Sequence, residues 1–152
     1  MVSPTPRAER RGSSLSQTLS DLLQSAGLGK ADTIRITGPA GLAALLWFCR
    51  HGYEQVGYVS AGRGPCEAGD LLLVPQTCTV GELEQILQSG PRPRPGGVLI
   101  VQTPQEISES GRDPVHDLLG RAGYQVERCL HGRHRELHVA RRWGSAEKKM
   151  AA

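Results

Sequence analysis

The densest collection of groups able to hold a metal or carry a proton lies toward the C-terminus, in Cys129, His131, His134 and His138. Thiolate and imidazole are the ligands a zinc-type ion prefers. The spacing argues against a metal, because His131 and His134 fall in a polar turn and His138 in the segment after it. No paired Cys or carboxylate completes a tetrahedron at a recognised interval. A solvated, basic hairpin tip without a metal is the expectation. His51 stands near the end of a helical segment, where a cation suits the negative end of the helix dipole. His116 stands early in another, with no nucleophile next to it in sequence. Cys49, Cys66 and Cys78 are widely separated, form no C-x-x-C and read as reduced, mostly buried thiols. There is no Gly-x-Ser-x-Gly elbow and no cysteine with a local activating group.

The second chemical feature is Gly38-Pro39-Ala40-Gly41, which follows the alternating segment Thr33-Ile34-Arg35-Ile36-Thr37 and precedes an apolar helical stripe. Glycines in a strand-to-helix turn let a ligand approach the backbone where helix N–H groups are unpaired. The same glycines also serve a tight turn and close helix packing with no ligand. Ser60 and Ala61 end a second strand-like segment, and Pro75 and Gln76 end a third.

These residues have to be positioned by short elements. Leu15, Leu19, Leu22, Leu23 and Ala26 recur at helical spacing before Gly27. After Gly38-Pro39, with Pro fitted to the first helical position, Leu42, Leu45, Leu46 and Cys49 predict a helix with one apolar side that ends near Gly52. Gln55–Val59 reads as a strand. Asp70 opens the apolar run Leu71–Val74, which suits a strand buried on both faces, as does Val98–Val101. Thr79 with Glu82 forms a capping-box pattern ahead of a stripe at Leu83, Ile86 and Leu87. Asp113-Pro114 starts a further helix that stops at Gly123. Residues 124–130 and 135–142 flank His131-Gly132-Arg133-His134 as an antiparallel hairpin.

Helices alternating with apolar strands predict an α/β, doubly wound, mainly parallel sheet of about six strands with a C-terminal antiparallel hairpin at its edge. In such sheets ligands bind outside the carboxyl ends of the strands, at the switch point. Gly38, Pro39, Ala40, Gly41, Ser60, Ala61, Pro75 and Gln76 would line that crevice. Only about ten residues separate Val59 from Asp70, so the Leu71 strand could join the sheet in either direction.

Composition bounds the rest. The chain has 152 residues, enough for one domain, here residues 14–143, with a disordered tail at 1–13 and a flexible one at 144–152. No apolar run approaches the ~20 residues of a membrane span, and residues 1–14 lack a signal peptide's apolar stretch, so a soluble, cytoplasmic protein is expected. The net charge of +3 comes largely from the ends, in Arg7, Arg10, Arg11, Arg141, Arg142, Lys148 and Lys149. With aromatics at 4%, there is little to stack on bases, which argues against a nucleic-acid partner.

The order of these features resembles the class I S-adenosylmethionine-dependent methyltransferases. The resemblance spans residues 14–142 and rests on the Gly38–Gly41 turn, a strand ending at Ser60, Asp70 before an apolar strand, Pro95-Gly96-Gly97 before Val98, and Ala122-Gly123-Tyr124 before a terminal hairpin. It implies a Rossmann-like fold with S-adenosylmethionine as cofactor, held at Gly38, Gly41, Ser60 and Gln76. Against the family's acidic-x-Gly-x-Gly-x-Gly motif, Arg35, Thr37 and Pro39 take the acidic and first two glycine positions, and only Gly41 matches. Ser60 stands where the family commonly has a ribose-binding carboxylate, and the family's third strand and its helix are missing. The motif is therefore degenerate, which implies weak cofactor binding and leaves catalytic residues unassigned. The alternative is a noncatalytic interaction module that pairs the sheet edge at Val56–Val59 with a partner or a second copy.

Overall fold

The computed structural model describes residues 19–60, 66–104 and 113–144. The tail assignments, apart from Gly144, and the placement of Ala61 lie outside these residues. A helix at 19–25 (α1) leads to β1 (Thr33–Ile36), α2 (Gly41–Arg50), β2 (Gln55–Tyr58), β3 (Leu71–Thr77), α3 (Val80–Ser89), β4 (Val98–Pro104), α4 (Pro114–Arg121), β5 (Tyr124–His131) and β6 (Arg135–Arg142).

The sheet order is β2-β1-β3-β4-β6-β5. β1 runs parallel to β2 and to β3, and β3 parallel to β4, so the Leu71 strand joins in the parallel sense. The terminal hairpin lies at the edge of the sheet, as expected. β6 inserts between β4 and β5 and is antiparallel to both, which makes the antiparallel strand internal and leaves β5 at the edge. An internal strand must be apolar on both faces. Val139 and Ala140 of β6 meet that demand and His138 is buried with its ring nitrogens paired, whereas β5 carries more exposed residues.

Alternate residues of the strands feed two cores. Ile34, Ile36, Leu71, Leu73, Ile100 and Val139 face Leu22 and Leu23 of α1 and Phe48 of α2. Leu72, Val74, Leu99, Val101 and Ala140 face Leu83 of α3 and Leu118 and Leu119 of α4. Burying each such side chain contributes about 1.5–3 kcal/mol, so the two layers hold the sheet between them.

α2 begins later than its sequence suggests and faces a different way. Gly38 adopts φ +102° and its carbonyl accepts from the N–H of Gly41, so Pro39 belongs to the turn and Ala40 is the N-cap. Phe48 is fully buried, while Leu42, Leu46 and Cys49 are exposed. No described strand lies beyond β2 to cover that face. Of the four cysteines only Cys78 is buried, against the expectation of mostly buried thiols.

Local signals set the other helices. Thr79 Oγ1 accepts from the Glu82 N–H while Glu82 accepts from the Thr79 N–H, a complete capping box. Asp113 Oδ1 accepts from the N–H groups of Val115 and His116, with Pro114 behind it. No helix among the described residues is long and apolar enough to cross a membrane.

Candidate functional site

The carboxyl ends of β1 and β3 meet at the switch point of the sheet, and the turn after β1 is built around Gly38. Its positive φ favours glycine, and a Cβ there would rest 3.5 Å from Cδ of Gln76, so Gln76 lies against the Gly38 backbone. Pro39 and Ala40 are exposed beside them. Gly41 has a different role: a Cβ at this position would stand 2.9 Å from Cδ1 and Cε1 of Tyr58. The Tyr58 ring thus occupies the close approach that this glycine opens. Ser60 is exposed just past β2, whose end is fastened by the Val59 N–H to the Ile36 carbonyl at 2.8 Å. Pro75 sits in a register shift of β3 between Val74 and Thr77, and its carbonyl accepts from Gln102 Nε2 at 3.1 Å.

Two residues of this crevice escaped the sequence reading. Tyr58 is one. Thr37 is the other: it is fully buried, and its hydroxyl has no hydrogen-bond partner. Buried hydroxyls are normally paired, so this orphan stands out in the framework next to the turn. α2 starts without a side-chain cap and with no acidic residue in its first turn, and its first N–H, that of Gly41, is bonded to the Gly38 carbonyl. The sequence signals for Thr37 were its place at the end of an alternating strand, next to Gly38, and its alignment with the first glycine of the motif.

Charge in the crevice departs from the family pattern. Arg35, at the acidic motif position, lies over Gly57 and donates to the Ile34 carbonyl at 3.0 Å. Asp70 serves the opposite end of the sheet, where it accepts from the Thr33 N–H and pairs with Arg94. These bonds, that of Arg94 first, hold its carboxyl below the usual carboxylate range. The Pro95-Gly96-Gly97 motif is likewise framework: a Cβ on Gly97 would stand 2.9 Å from the carbonyl oxygens of Arg94 and Asp70. Arg141 and Arg142 are also structural, bonding the carbonyls of Gly96 and Ala26 and of Pro93 respectively.

The histidines are grouped differently from their sequence spacing. His138 is fully buried, with Nε2 2.9 Å from Thr103 Oγ1 and Nδ1 3.5 Å from Cys129 Sγ. His116 of α4 joins them, its ring centroid 5.5 Å from that of His138, whereas His134 belongs to neither potential ligand group. His131 pairs instead with Glu136 at 3.0 Å. Burial, reinforced by His116, lowers the pKa of His138. Burial, with Glu136 and Asp113, raises that of Cys129. His51 stands at the C-cap of α2, with Nδ1 2.7 Å from the Trp47 carbonyl.

The sequence matches no protein-family model and none of the curated proteins. Solved structures are similar in fold. A ribosomal protein methylase from Lactobacillus delbrueckii subsp. bulgaricus aligns over 84% of this chain and 79% of its own with a TM-score of 0.56 at 12% identity. An Escherichia coli protein assigned as a methyltransferase aligns over 95% and 89%, with a TM-score of 0.55 at 14% identity. A Haemophilus influenzae protein assigned as a methylase aligns over 84% and 88%, with a TM-score of 0.53 at 10% identity. The strand order, the parallel β1–β4 set and the inserted antiparallel β6 agree with these likenesses: the chain has the fold of the class I S-adenosylmethionine-dependent methyltransferases.

Proposed function

We propose that the chain is a weak binder of S-adenosylmethionine or its demethylated product, S-adenosylhomocysteine, at the crevice formed by Gly38–Gly41, Ser60 and Gln76. The observation that carries this reading is the buried, unpartnered hydroxyl of Thr37 next to the turn into the uncapped α2. First-turn helix N–H groups past Gly41 and a hydroxyl suit the carboxylate of the cofactor. Ser60 suits a ribose hydroxyl, and the half-exposed Tyr58 ring can face a cation. When bound, the cofactor supplies an activated methyl group. Arg35 and Ser60 replace the carboxylates of the family motif, and losing one charge-assisted hydrogen bond of about 1.5–3 kcal/mol weakens binding by roughly ten- to a hundredfold. Calorimetric titration tests this. Saturable one-to-one binding that Thr37→Val weakens supports it, and neither heat nor thermal stabilisation at millimolar ligand overturns it.

A second reading has its own observation. Leu42 and Leu46, one turn apart on α2, are 69% and 44% exposed, and Tyr58 of the edge strand β2, 51% exposed, lies against Gly41 at the start of the same helix. An apolar patch next to unpaired strand groups is suited to assembly with a second copy of the chain. Sedimentation of the wild type and Leu46→Glu separates the cases: a dimer that the substitution dissociates supports assembly, and a monomer at high micromolar concentration excludes it.

A further inference from the structure

We propose that His116, Cys129 and His138, with Asp113, form a binding site for a zinc-type divalent ion between α4 and the terminal hairpin. One potential ligand atom from each of the first three residues lies within 4.8 Å of the others. The arrangement consists of two halves. On the hairpin, Cys129 Sγ is 3.5 Å from His138 Nδ1; on α4, His116 Nε2 is 3.5 Å from Asp113 Oδ2. Ligands of a tetrahedral zinc with bonds of about 2.0–2.3 Å lie roughly 3.3–3.7 Å apart, so each half already has the required edge. Closing the site on His116, Cys129 and His138, whose ligand atoms lie within 4.8 Å of one another, needs His116, 40% exposed at its side chain, to move toward the hairpin and Asp113 to follow it.

Three features prepare these side chains. A β-bulge in β5 sets Val126 against Ala140 and Arg128 against Val139, so one extra residue turns Cys129 onto the α4 face, directly opposite His138. Thr103 holds His138 through Nε2, which leaves Nδ1 as the free donor atom toward Cys129; metal-bound histidines are typically oriented by such a partner. Finally, His116 Nε2 is buried and makes no hydrogen bond, although Asp113 Oδ2 is near. Ion binding gives that nitrogen a partner and releases the Cys129 thiol proton to solvent as the thiolate forms its bond to the metal. The donor set of one sulfur, two imidazoles and a carboxylate favours zinc over magnesium or calcium, which take oxygen ligands. This site is independent of the cofactor crevice, and its test does not depend on cofactor binding.

Another set, Cys129, His131 and Glu136, shares the thiol, but His131 and Glu136 already bond each other on the solvent side. The experiment tells the two apart. Full-length, reduced, chelator-treated protein is titrated with Co²⁺ followed optically and with Zn²⁺ followed by calorimetry, alongside Cys129→Ser, His116→Ala and His131→Ala. Expected are one-to-one binding, tetrahedral ligand-field bands with a thiolate-to-cobalt charge-transfer band, loss of that band in Cys129→Ser, and at least tenfold weaker Zn²⁺ binding in His116→Ala. His131→Ala keeps the wild-type affinity. His116 and His131 are both partly exposed, so these variants test the site without emptying the core. No binding at high micromolar metal, octahedral cobalt spectra, or dependence on His131 instead of His116 overturns the proposal.

Discussion

The aromatic ring of Tyr58 lies across the α-carbon of Gly41, so close that a Cβ on the glycine would stand 2.9 Å from two ring carbons. This glycine, the one that matches the family motif, is therefore constrained by a neighbour inside the protein. Gly41→Ala must displace the ring, and overpacking of this kind costs about 1–3 kcal/mol, at the low end here because Tyr58 is half exposed. Tyr58→Ala in the same chain relieves it. A double-mutant cycle by chemical denaturation should show coupling of at least about 0.5 kcal/mol, and additivity would mean the ring does not rest there.

Thr37→Val keeps the shape of the side chain and removes the buried hydroxyl. With no partner for that hydroxyl in the free protein, the variant is expected to be more stable by about 1 kcal/mol, while its affinity for S-adenosylhomocysteine falls. Opposite signs in thermal unfolding and in calorimetry are the signature. Equal losses in both would assign the hydroxyl to the framework.

Asp70 links stability to acid. Its carboxyl is held low by Arg94 and by the Thr33 N–H, so the native state favours the ionised form. That contribution is complete above the ordinary carboxylate range near ~4 and is lost as pH falls through the depressed native value. Because Arg94 is about half exposed, Asp70→Asn is expected to cost only about 1 kcal/mol at neutral pH. Denaturant midpoints of the wild type and the variant should converge as the pH is lowered from the ordinary carboxylate value through the depressed native one.

Gly69 combines φ +77° with a Cβ position 2.7 Å from the Thr33 carbonyl oxygen. Both the backbone and the space reject a side chain. Gly69→Ala is expected to lower stability by roughly 2 kcal/mol or more, whereas Gly81→Ala, with no atom within 4 Å, should raise it slightly through helix propensity. Equal effects in denaturation would contradict this account of the loop before β3.

Much of this architecture was legible because local chemistry and tertiary structure agree. Thr79 with Glu82 and Asp113 with Pro114 start helices, and the apolar runs at Leu71 and Val98 form buried strands, as their local chemistry indicates; only the direction of the Leu71 strand had to come from the sheet. The orientation of α2 was not legible, since Leu42 and Leu46 form as good an apolar stripe as Phe48 with Ala44 and Leu45. What decides is the sheet edge beyond β2, which a window on the helix does not contain. Glycine spacing pointed to the crevice, but Thr37 and Tyr58 depend on contacts between strands distant in sequence. The His116 pairing was hidden for a similar reason: it requires both the fold of α4 over the hairpin and the bulge that turns Cys129.

The central claim is that the crevice at the end of β1 binds the cofactor of the fold. The most direct measurement is a titration of isotope-labelled protein with S-adenosylhomocysteine, followed by amide NMR shifts. The account predicts saturable shifts at Gly38, Ala40, Gly41, Ser60 and Gln76, with the hairpin residues Cys129 and His138 unmoved. An absence of shifts at millimolar ligand, or shifts confined to the hairpin and α4, would contradict it.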